Sequence, residues 1–119
     1  MPVLRTEPLA EGVGLRLSGE LADSNALMAQ RTFANLAVVG GVVTLDMGGV
    51  SFMDSLGLGK LIVLARDLTG RGHLRLVNVQ PQLMRVFEVV SPRGRGLANM
   101  TVEPAPVAAG GEPLRGRAP

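Results

Sequence analysis

The sequence predicts a small α/β domain: a mixed, mostly parallel sheet of four or five strands packed with three or four helices. Three observations carry this. Short runs of alternating or β-branched residues are separated by segments with helical spacing, the pattern of crossovers between parallel strands. Gly or Pro stands at nearly every change of period. A chain of 119 residues, 46% apolar and without cysteine, suits one core held by packing alone.

Residues 13–18 alternate with period two between Gly12 and Gly19 and predict a strand with one buried face. Residues 3–5 read as a short antiparallel neighbour. Asp23, Ser24 and Asn25 are all N-cap types, and Ala26, Ala29, Phe33, Leu36 and Ala37 recur at helical spacing. A helix over about residues 24–38 follows, stopped by Gly40-Gly41. Residues 42–47 are an apolar, β-branched run with glycines on both sides, predicting a strand buried on both faces, after which Gly48-Gly49 turns the chain. Leu58, Leu61, Ile62, Ala65 and Leu68 predict a helix over about residues 56–69, ending at Gly70. Residues 73–79 alternate again. Pro81 suits the first turn of a helix that carries Leu83, Val86, Phe87 and Val90 on one face and closes at Pro92. Residues 100–103 predict a last edge strand. The domain therefore spans residues 1–103, and the aperiodic Pro/Ala/Gly/Arg stretch 104–119 predicts a disordered tail.

The net charge of +2 is unevenly placed: residues 1–92 carry eight charges of each sign, and the surplus comes from Arg93, Arg95, Arg115 and Arg117 against Glu103 and Glu112. So sparse a cationic end reads as solvated. The three aromatic residues, Phe33, Phe52 and Phe87, provide no stacking platform for single-stranded nucleic acid, and no direct nucleic-acid partner is expected. No secretory signal is visible, and the longest mostly apolar run, residues 36–45, is about half the length a spanning helix needs. A cytoplasmic protein without a membrane partner is the expectation.

The pair Asp54-Ser55 precedes a helix, where backbone N–H groups lack partners and the macrodipole favours negative charge. Two readings fit: simple N-capping, or a place where a phosphate on Ser55 is accommodated. Gly57 and Gly59 lie in the first turns of that helix, where each costs about 0.5–1 kcal/mol relative to alanine. They either admit a close-approaching partner or pack against a neighbouring strand.

The stretch Val50-Ser51-Phe52-Met53-Asp54-Ser55-Leu56-Gly57-Leu58-Gly59 resembles the signature of the STAS domain of bacterial anti-sigma factor antagonists. Leu17-Ser18-Gly19-Glu20-Leu21 and Val86-Phe87-Glu88-Val89-Val90 are similar to the first strand and turn and to the late helix of that family. The resemblance covers about residues 10–103 and implies a STAS-like fold. It also implies that Ser55 is phosphorylated by an anti-sigma factor that is a serine kinase, that a serine phosphatase reverses this, and that the unmodified antagonist frees the sigma factor. The chain would then be no enzyme and need no cofactor or metal. The implied partner surface comprises Glu20, Asp23, Asp54, Ser55, Leu56, Gly57, Leu58 and Gly59. Leu56 stands where many members have a second Ser or Thr, Ala22 where they have Asp, and the tail where they have a C-terminal helix.

Two alternatives are weaker on the residues. An enzyme lacks its groups: His73, the one histidine, has no Ser or Cys partner in view, the carboxylates show no metal-ligand spacing, and Gly57-Leu58-Gly59-Lys60 is followed by Leu61, not the Ser/Thr of a phosphate-binding loop. A scaffold of the same fold that is never phosphorylated is favoured by Leu56 and Ala22.

Overall fold

The computed structural model of the chain describes residues 3–90 and 99–106. In chain order these form β1 (Arg5–Pro8), β2 (Val13–Leu21), α1 (Asp23–Val39), β3 (Gly41–Met53), α2 (Ser55–Asp67), β4 (Gly72–Val79), α3 (Pro81–Val90) and β5 (Met100–Pro104). The strands lie in one sheet in sequence order, with β1 antiparallel to β2 and every other pair parallel.

Crossovers between parallel strands are right-handed, so in a sheet ordered as the sequence is they set the connecting helices on one face. Burial follows from that arrangement. Leu17, Leu21, Val43, Leu45, Met47, Leu74 and Leu76 point toward the helices, where Ala26, Phe33, Leu61, Leu64, Leu83 and Phe87 pack on them in a single core. The opposite face is polar. Arg75 pairs with Glu103 at 2.6 Å, Arg16 with Asp46 at 3.5 Å, and the His73 ring lies between Asn99 and Thr101.

The polar face corrects the expectation for residues 42–47. That strand is buried on one side only: Val42 is 59% exposed, and Thr44 and Asp46 are partly exposed. Nor does Gly48-Gly49 turn the chain, since β3 runs on to Met53. Between the pairs Arg16↔Asp46 and Ser18↔Gly49, and again between Gly19↔Val50 and Glu20↔Phe52, β3 holds one residue more than β2. These are bulges, and a Cβ on Gly49 would lie 2.7 Å from that of Ser18. The glycine serves close strand approach.

Several ends also differ. β1 lies at residues 5–8, not 3–5, and β2 continues to Leu21. α1 begins at Asp23 with Ala22 in the N-cap position and no side-chain cap, so none of Asp23, Ser24 and Asn25 occupies that position. α2 starts at Ser55 and finishes at Asp67. At the other end β5 takes in Pro104, and the Ala105 N–H donates to the Val79 carbonyl, so ordered packing passes the predicted start of the tail. The expected stop at Pro92 and residues 107–119 lie outside the described residues. Among the described residues no helix is long and apolar enough to cross a membrane.

Candidate functional site

β2 and β3 run parallel and finish side by side, with Leu21 paired to Met53. α1 and α2 therefore start next to each other at the carboxyl end of the sheet, where open α/β sheets place their sites. Two sets of unpaired helix N–H groups meet there.

One carboxylate serves both. Asp54 is the N-cap of α2 in extended backbone, and its Oδ1 accepts the Gly57 N–H at 2.9 Å. Its Oδ2 accepts the Asp23 N–H, the first of α1, at 3.0 Å. Ala22, fully buried, offers α1 no side-chain acceptor. Asp23 is held at φ +49°, a left-handed value that Asp tolerates better than most residues. The Gly57 N–H above all holds the Asp54 carboxyl below its ordinary value of 3.8; burial pulls the other way, and the N–H groups of Asp23 and Leu56 add to the lowering.

Gly57 and Gly59, read together from the sequence, separate here. A Cβ on Gly57 would lie 1.9 Å from the Leu21 carbonyl oxygen, whereas one on Gly59 would meet nothing within 4 Å. Gly57 thus lets the first turn of α2 lie directly on the end of β2. Gly59 leaves bare backbone on the partly exposed side of the helix.

Ser55 is the first residue of α2, exposed, with Asp54 on one side and Leu56, 38% exposed, on the other. The structure gathers Asp23, Asp54, Ser55, Leu56 and Gly57 at one spot. Glu20 lies just inside the end of β2, where its carbonyl accepts the Asn25 amide at 3.0 Å. Leu58 does not join this surface: it is buried in the core, because its place in the helix turns it toward the sheet. Phe52 was missed. It lies beside Glu20 in the paired strands and is 52% exposed, a large apolar ring near the site. Val50 and Met53 are both buried, so strict alternation is broken here: the bulge between Val50 and Phe52, set by pairing with β2, turns Phe52 outward. His73 lies at the start of β4, the opposite end of the sheet, with its ring nitrogens near Asn99 Oδ1 and Thr101 Oγ1.

Residues 3–91 match the family model of the STAS domain. The chain belongs to the STAS domain family. The STAS chain is 37% identical over 82 residues to an anti-sigma F factor antagonist of Lysinibacillus sphaericus, an alignment that covers 66% of this chain and 69% of the relative. Its fold matches that of the anti-sigma factor antagonist SpoIIAA in its unphosphorylated form, with a TM-score of 0.61 and 22% identity, covering 83% of this chain and 87% of that one.

Two outcomes are expected of this STAS domain in denaturation. Gly57→Ala forces α2 off the end of β2 and lowers stability by about 1–3 kcal/mol, as overpacking does. Gly59→Ala raises it by about 0.5–1 kcal/mol, because helix propensity improves with nothing in the way. Urea titration of both variants checks the pair; equal effects would contradict the assignment.

Asp54→Ala is expected to cost about 1 kcal/mol at neutral pH through the lost cap. The sign of its pH dependence follows from a folded-state pKa below the unfolded one. The contribution is present above pH 3.8 and is lost as pH falls through the lower folded value. The gap in melting temperature between the parent protein and Asp54→Ala should therefore close as pH drops below that point, which thermal scans would reveal.

Proposed function

We propose that this chain is an anti-sigma factor antagonist working by partner switching. Its unmodified form binds an anti-sigma factor that is also a serine kinase and so frees the sigma factor for transcription. Phosphorylation of Ser55 ends that binding, and a serine phosphatase restores it. The chain is a substrate of the kinase, not a catalyst, and nucleotide and metal belong to the kinase.

The observation that carries the reading is Ser55: an exposed hydroxyl on the first residue of α2, at the start of two adjacent helices, in a chain related to an anti-sigma F factor antagonist. Phosphate there would add roughly −1.5 to −2 charges. The N-terminal N–H groups and dipole of α2 favour an anion, so the fold tolerates the modification. The surface does not stay the same. Its unmodified form offers the apolar Leu56 beside the carboxylates of Asp23 and Asp54, and a dianion set among them repels an apolar or acidic docking partner. Glu20, Asp23, Asp54, Leu56 and Gly59 then form the contact, while Gly57 and Leu58 support it from beneath.

A second reading, a scaffold that binds constitutively, is favoured by the exposure of Leu56, which adds apolar contact area beside the serine. Affinity for the cognate anti-sigma factor separates the two. The switch predicts that Ser55→Ala binds like the parent protein and that Ser55→Asp binds at least about tenfold more weakly. Equal affinities of the two variants in titration calorimetry would support the scaffold and sink the switch.

A further inference from the structure

We infer that Asp54 is a positioning residue that couples Ser55 to the start of α1, so that a phosphate on Ser55 also releases Asp23. The inference rests on Ser55 being the modified residue. Both Asp54 oxygens are engaged: Oδ1 by the Gly57 N–H of its own helix, Oδ2 by the Asp23 N–H from 31 residues away in sequence. Ala22 supplies no side-chain cap, so α1 takes its carboxylate from the other junction. Asp23 meanwhile sits in left-handed backbone, a conformation that persists in a non-glycine residue when its surroundings hold it.

A phosphate on Ser55 would be attached one residue from Asp54 and would draw on the same N-terminal N–H groups of α2. Two anions then compete for one set of donors. The carboxylate can relieve the crowding by rotating away, and that change weakens its bond to the Asp23 N–H. The modification thus acts at two points of the proposed contact surface: directly at Ser55, and through Asp54 at the β2–α1 junction.

Phosphoserine installed at position 55 during translation tests this without any kinase. Amide hydrogen exchange, read residue by residue by NMR, should show the Asp23 N–H exchanging about tenfold faster or more in the phosphoserine protein than in the unmodified one, as loss of one charge-assisted hydrogen bond implies. Asp54→Asn should do the same. An asparagine still caps α2, but it has one acceptor oxygen where two are needed. Val43 and Leu45 of β3 should keep their protection in both proteins, which distinguishes local release from unfolding. Unchanged Asp23 exchange in the phosphoserine protein overturns the coupling, as does unchanged exchange in Asp54→Asn. Neither result touches the direct charge effect of the proposed switch, whose own test is the affinity of the Ser55 variants.

Discussion

The carboxylate of Asp54, shared between two helix starts, is the interaction on which this end of the molecule depends. Parallel pairing of β2 with β3 forces α1 and α2 to begin side by side, and both beginnings carry partial positive charge and unpaired N–H groups. An anion between them offsets both. Because α1 has alanine where a capping side chain would stand, the offset comes from the α2 side, across 31 residues of sequence. Gly57 completes the arrangement, since any side chain there would push α2 away from the Leu21 carbonyl. Ser55 is presented outward by the same geometry that keeps Asp54 inward.

Parallel sheets are usually covered on both faces, and here, among the described residues, the helices cover one. The other is made water-compatible by cross-strand pairing: Arg75 with Glu103, which draws the Glu103 carboxyl below its ordinary value through its hydrogen bond, and Arg16 with Asp46. Exposed pairs of this kind add little stability. Their effect is to make a strand such as β3 alternate, apolar inward and polar outward, in a sheet whose topology alone suggests burial on both sides.

Much of this was legible in the sequence, and the failures have identifiable physical causes. The helices and strands were visible because their periodicity is local: Leu58, Leu61, Ala65 and Leu68 mark the inner face of α2 wherever that helix is placed. What was hidden depended on a neighbouring strand. Gly48-Gly49 looked like a turn because glycine permits turns and bulges alike, and only pairing with Ser18 decides between them. Asp23 looked like a cap for α1, but nothing in its own segment reveals that the backbone there is left-handed and that its N–H reaches Asp54. Ser55 could be singled out by the resemblance of its stretch to the STAS signature, since the start of a helix by itself fits simple N-capping as well. The division of labour between Gly57 and Gly59 could not, because one touches β2 and the other touches nothing. Leu58 belongs to a contiguous motif that suggests a surface role, but helical geometry turns it inward.

Whether Ser55 is the residue through which the chain is switched can be read by mass spectrometry of the unmodified protein after incubation with its cognate anti-sigma factor and ATP. A single phosphoryl group is expected, located on Ser55 by fragmentation and absent from Ser55→Ala. An anti-sigma factor that binds the chain, hydrolyses ATP and leaves Ser55 unmodified would contradict the switch.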